Sequence, residues 1–193
     1  MVGLIPESYF APLDLPKIFG RVAPLHVDLG CGDGAFLFAL AEQTPGKDFL
    51  GFERLLHRVK KACRKADTID NMRVLRIDTP YAVRYLLPEQ SVEMFHLLFP
   101  DPWTKRRHEQ RRIVTPDFLK AIYAALVPDG VLRIATDQAE YFDQIRGVAA
   151  QSELFGLAES NGSDYPASTF ETQYKERGFE IYRFELRKVS PVM

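Results

Sequence analysis

Apolar and polar positions change rhythm along this chain. Compact apolar runs at Leu25–Leu29, Asp48–Glu53, Asn71–Ile77, Val92–Phe99 and Val131–Ala135 read as buried strands. Between them, residues 35–41, 54–66, 80–87, 115–127 and 139–150 carry helical patterns. Thr115 followed by Pro116 is a helix start, a capping hydroxyl before a proline in the first turn. Pro128-Asp-Gly130 reads as a turn. Strands alternating with helices predict an α/β fold with a doubly wound, mostly parallel sheet. The closing stretch Phe179–Arg187 alternates with period two, which suits a final antiparallel strand. Residues 1–24, with Pro6, Pro12, Pro16 and Pro24, read as an irregular lead-in covering a sheet edge or a ligand. From Ser152 the chain turns polar and irregular, with 160–169 expected as an exposed loop and 170–178 as a short helix or turn.

Composition narrows the class. A chain of 193 residues, 46% apolar and 26% charged, fits one domain able to bury its own core. Net charge is -1, so any nucleic-acid contact must come from a local patch rather than a global field. Cys31 and Cys63 lack metal-ligand spacing, and His26, His57, His96 and His108 form no HxxxH pair, so no metal is expected. No apolar run approaches a membrane span and the N-terminus lacks a signal-like pattern. The expectation is a cytoplasmic protein with free thiols and no membrane contact.

Candidate chemistry gathers where strands end. The first strand holds Asp28 and runs into Gly30-Cys-Gly-Asp-Gly34 before an apolar helix. Glycines at Gly30 and Gly32 let a ligand approach the backbone. Their GxGxG spacing differs from the GxGxxG of dinucleotide enzymes, and a carboxylate beside the turn repels a pyrophosphate. Asp28 instead complements an ammonium or a sulfonium, both present in S-adenosyl-L-methionine, which carries no phosphate. A plain tight turn is the alternative. Glu53, 19 residues past Gly34, stands where an acid takes ribose hydroxyls, or where it charges the start of the next helix. Asp78 and Thr79 follow the third strand and are placed to meet an adenine. Asp137 follows the fifth strand, as a site acid, a helix cap, or both.

The densest signal is Phe99-Pro-Asp-Pro-Trp-Thr-Lys-Arg-Arg-His-Glu-Gln-Arg-Arg112. Pro100 and Pro102 fix the backbone around Asp101. Trp103 offers an apolar face, and five cations fall within the eight residues from Lys105 to Arg112. Arg54, Arg58, Lys61 and Lys65 line one face of the second helix, as a further phosphate contact or a solvated surface.

This tract closely resembles the signature of bacterial tRNA (guanine-N7-)-methyltransferases, with its DPW, its Lys and its RHxxRR run. The resemblance continues at Gly51-Phe-Glu53, Thr136-Asp137, Phe170-Glu171, Gly178 and Ile181-Tyr-Arg183, and spans roughly residues 25–187. It implies a Rossmann-like class I methyltransferase with a seven-stranded sheet, using S-adenosyl-L-methionine to methylate N7 of a guanosine in the variable loop of tRNA. By the same resemblance Asp101 is catalytic and contacts the cofactor together with Asp28, Glu53 and Asp78. Lys105, Asp137 and the tetrad Ser168, Thr169, Phe170 and Glu171 would contact the substrate. Arg107, His108, Arg111 and Arg112 would bind RNA. Thr104 stands where the family has Pro, Ser168 where it has Thr, and the N-terminus gives little basic extension. A methyltransferase of another substrate, or an inactive RNA-binding relative, are the alternatives; monomer and homodimer both remain open.

Overall fold

The computed structural model describes residues 3–158 and 165–189. Its centre is a seven-stranded mixed sheet of order β3-β2-β1-β4-β5-β7-β6. The strands are β1 (Leu25–Leu29), β2 (Asp48–Glu53), β3 (Met72–Arg76), β4 (Val92–Leu98), β5 (Leu126–Thr136), β6 (Phe155–Ala158) and β7 (Tyr182–Lys188). The first five are parallel and β7 runs antiparallel between β5 and β6. The chain reverses its direction of winding between β1 and β4, so their C-terminal ends open a crevice there, the usual ligand position of such sheets.

Helices α1 (Leu15–Phe19), α2 (Ala35–Gln43), α3 (Leu56–Ala66), α4 (Thr79–Tyr85), α5 (Pro116–Ala125), α6 (Ala139–Ala150) and α7 (Thr169–Glu176) complete the fold. One core, with Val27, Phe52, Phe95, Leu119, Ile134 and Ile145, packs α4, α5 and α6 on the sheet. A second, with Phe36, Leu37, Phe49, Val59 and Met72, packs α2 and α3 on the other side. Gly34 is the pinch point of that second layer. Its φ is +76°, and an added Cβ would lie 2.8 Å from the Cβ of Ala62 on α3.

Several boundaries differ from the sequence reading. β5 starts at Leu126, because the expected turn Pro128–Gly130 is absorbed as an irregularity in the β4–β5 register. β6 falls in the stretch read as irregular; it is only four residues long, too short for a period to show. The lead-in, read as irregular, contains the one-turn α1, capped by Asp14, and Leu4 bridges to Leu75, which places the segment around Leu4 on the β3 edge, one of the two positions considered. Of the expected loop 160–169, residues 160–164 lie outside the described residues; Thr169 already belongs to α7. No helix among the described residues is long and apolar enough to cross a membrane. Nor do the described residues hold a group of three His, Cys, Asp or Glu able to bind a metal.

Candidate active site

The crevice is a cleft of about 1030 Å³ whose lining includes Gly30, Glu53, Asp78, Thr79, Asp101 and Asp137. A smaller hollow beside it is lined by Asp28, Gly30, Gly32, Ser168, Thr169 and Phe170. Gly30, Leu98 and Phe170 belong to both, so the two spaces meet at the end of β4. The sheet thereby joins residues scattered over 140 positions of sequence.

Asp28 is 3% exposed. Burial, with the nearby Glu53 carboxylate second, pushes its pKa up to about 8. An incoming cation would favour the charged form that burial disfavours. Glu53 is buried too, and its Oε2 accepts from Gly32 N at 3.1 Å and its Oε1 from Leu55 N at 2.7 Å. It anchors the glycine turn while each oxygen keeps a second lone pair for a ligand. Asp78 caps α4, accepting from Tyr81 N at 3.3 Å. Asp137 does not cap α6: Gln138 is the N-cap, and Gln138 Nε2 donates to Asp137 Oδ2 at 2.6 Å. Its carboxylate is left facing the cleft.

Asp101 rides on a tense corner. Phe99 and Trp103, on either side of Pro100-Asp-Pro102, have φ of 52° and 43°. Non-glycine residues in that region cost free energy that the surrounding structure must hold in place, a condition typical of functional turns. The hold is visible: Phe99 N donates to Ala135 O at 2.7 Å, and the Phe99 ring packs 5.3 Å from that of Tyr174. Asp101 itself is exposed at the mouth. Phe170 and Tyr174, stacked at 6.3 Å, form an aromatic wall opposite.

The basic run folds into a 3-10 helix, Arg106–Arg111. Trp103 is not a free face, since Arg111 lies 5.0 Å over its ring and His108 meets its edge at 5.7 Å. Lys105 and Arg107 are exposed outside the cleft lining. Arg112 departs most from expectation. It is 5% exposed; Nε donates to Pro102 O at 2.7 Å, and its other nitrogens meet Gln144 and Glu140. A guanidinium so engaged braces the Asp101 corner and is withheld from a phosphate. Glu171 is likewise buried and paired with Arg183 and Lys175, those partners holding its pKa low against the opposing effect of burial. Ser168 caps α7, its Oγ accepting from Glu171 N at 3.1 Å. The tetrad is therefore a helix start, with Phe170 the member turned to the cleft.

On the opposite rim stand cations from the other half of the chain: Arg54, Arg58 and Arg84. Arg58 reaches Glu53 at 3.8 Å and covers the Phe170 ring at 5.6 Å. Lys65 turns away to Asp33. Arg84 and Tyr174 were not among the sequence candidates. Single residues on otherwise ordinary helices carry no motif.

The residues present fit S-adenosylmethionine. An added Cβ at Gly30 or Gly32 would meet no protein atom within 4 Å, so the turn backs onto open space. The carboxylates of Asp28 and Glu53, both buried, stand beside that space.

Known proteins resemble this chain in sequence and in fold. A family model described as "Putative methyltransferase" matches residues 22–184. A tRNA (guanine-N(7)-)-methyltransferase of Thermotoga maritima is 37% identical over 93% of this chain and 58% of its own length. One of Leifsonia xyli is 39% identical over 91% of this chain and 81% of its own. The chain spans 58% and 59% of the Thermotoga relative and of another from Halorhodospira halophila. Among solved structures, the 16S rRNA methyltransferase KamB superposes with a TM-score of 0.69 at 15% identity, covering 98% of this chain and 100% of that one, a likeness of fold alone. With its seven-stranded sheet, its carboxylate-lined glycine turn and relatives of this identity over nine-tenths of its length, the chain belongs to the tRNA (guanine-N(7)-)-methyltransferase family.

Proposed function

We propose that this protein transfers a methyl group from S-adenosylmethionine to N7 of a guanosine in the variable loop of tRNA. The observation that carries the reading is the meeting of two spaces at the end of β4: a glycine-backed carboxylate hollow and an open aromatic cleft holding Asp101 and Asp137. When bound, S-adenosylmethionine supplies a methyl held on a sulfonium. Asp28 would receive its ammonium, Glu53 the ribose hydroxyls, and Asp78 with Thr79 the adenine. Cations on both rims favour a polyanion over a small neutral substrate.

Guanine N7 has a lone pair and no proton, so the site requires no general base. The protein's work is alignment and charge. Phe170 and Tyr174 give a base a wall to lie against, and the tense Phe99–Trp103 corner fixes the backbone that carries Asp101. Positive charge grows on the purine as N7 is methylated. A carboxylate at Asp101 or Asp137 lowers the energy of that charge, or grips the N1–H and amino edge of the base.

Methyl transfer from labelled S-adenosylmethionine to unmodified tRNA transcripts, with mapping of the product, tests the reading directly. N7-methylguanosine in the variable loop is expected. Cofactor binding without methylation across a full tRNA set would overturn the substrate and leave the fold.

A further inference from the structure

Beside the α4 rim of the cleft lies a strip of rings that the methyl-transfer site does not use, joined to it by the guanidinium groups of the rim. Tyr81 and Tyr85, one turn apart on α4, hold their rings 4.9 Å apart. Tyr81 Oη donates to the Tyr9 carbonyl at 2.7 Å, which ties the lead-in segment to the helix. Tyr85 is 50% exposed, Tyr9 41% and the adjoining Phe10 91%. Large apolar side chains held this far into water, several together, mark a contact surface rather than a core.

Charge says what kind of contact. Arg84 lies 5.7 Å over the Tyr85 ring and also lines the cleft, so strip and site are continuous. Arg76 and Arg54 continue the rim, Arg76 Nε donating to Arg54 O at 3.3 Å, and both are exposed. The acids nearby are engaged: Asp78 caps α4 and Glu7 is paired with Lys17. The strip thus sets exposed rings beside guanidinium groups that form no salt bridge among the described residues. Unpaired nucleotides would find rings for their bases and guanidinium groups for their phosphates, the arrangement by which single strands are held without sequence preference.

We infer that Tyr9, Phe10 and Tyr85, with Arg84, form a second RNA-binding surface that stacks unpaired bases of the substrate outside the target guanosine. The inference rests on the tRNA reading above. It gives the enzyme a grip on the far side of the cleft from the 3-10 helix, so that the RNA is held from two directions.

The test compares wild type, the double variant Phe10→Ala/Tyr85→Ala, and Tyr85→Phe. For each, tRNA affinity is read by fluorescence anisotropy, methyl transfer by steady-state kinetics, and cofactor affinity by calorimetry. The double variant should weaken tRNA binding about tenfold or more, with the loss in kcat/KM carried by KM and cofactor affinity held; Tyr85→Phe, which keeps the ring, should stay close to wild type. Unchanged tRNA affinity in the double variant, with wild type methylating tRNA, overturns the strip alone. So does a change of oligomeric state in its place, which would make the patch a contact between copies of the chain. Wild type that neither binds nor methylates tRNA overturns the strip and the tRNA reading together.

Discussion

Asp28 is a carboxyl that the folded chain protonates before it protonates in the unfolded chain. Its pKa is near 8 when folded and 3.8 by its ordinary value, so the folded state binds an extra proton between those limits. Stability contributed by this group therefore falls as pH rises from about 4 to 8. Asp28→Asn should raise the unfolding free energy at pH 7 by on the order of 1–3 kcal/mol and flatten that slope, as read by denaturant titration at several pH values. The same substitution should cripple cofactor binding. In the wild type, affinity for S-adenosylmethionine should climb up to tenfold per pH unit from pH 6 and turn over near 8. There the α-amino group, with a pKa of roughly 7.7–8.0, loses its own charge. Calorimetry in buffers of different ionisation enthalpy would count the proton released. At Asp101, Asp101→Asn should slow methylation about a hundredfold with cofactor affinity held. A rate within threefold of wild type, under ~0.7 kcal/mol of barrier, would remove Asp101 from the mechanism.

Among the elements, α7 and the 3-10 helix Arg106–Arg111 show how local chemistry sets the shape of the site. α7 begins because Ser168 satisfies the Glu171 N–H, and Arg183 on β7 then fixes Glu171. Only with that start in place does Phe170 face the hollow and Tyr174 support Phe99. Ser168→Ala should cost about 1 kcal/mol of stability, with a larger proportional loss of methylation than of cofactor binding; Ser168→Thr should restore both. In the basic tract, neighbouring arginines have opposite roles. Arg107→Gln should reduce the slope of log K for tRNA against log salt by about one and leave the melting temperature alone. Arg112→Gln, which strips a buried brace of charged hydrogen bonds, should cost about 1–3 kcal/mol in thermal unfolding.

For the molecule as a whole, the sheet order places β1 and β4 side by side, and with them Asp28 and Asp101, 73 residues apart in sequence. Arg58 of α3, Arg84 of α4 and Arg111 of the 3-10 helix all line the cleft, so a chain of net charge -1 still brings cations from distant elements to one mouth. Net charge is a sum; recognition depends on its placement.

Much of this was legible in the residues. β1, β2 and α6 appear at the predicted positions, because continuous apolar runs and a sustained helical period are strong local signals. The glycine turn, Glu53, Asp78 and the Pro100–Pro102 corner were likewise visible, since each is a short motif whose backbone demands are met locally. β6 and the extended start of β5 were not, for they are strands only by pairing with neighbours. Nor did the tract from Lys105 to Arg112 tell which arginine meets water. Its residue types fix a charge, but whether a guanidinium is free depends on Gln144, Glu140 and Tyr141 arriving from α6. The sequence alone determined the α/β class, the glycine turn and the acids at the strand ends, because these rest on contacts within a few residues. The tertiary structure alone decided that Arg112 is a brace, that Glu171 is held by Arg183, and that Phe170 joins the two spaces. Each of those facts is a relation between elements far apart in the chain.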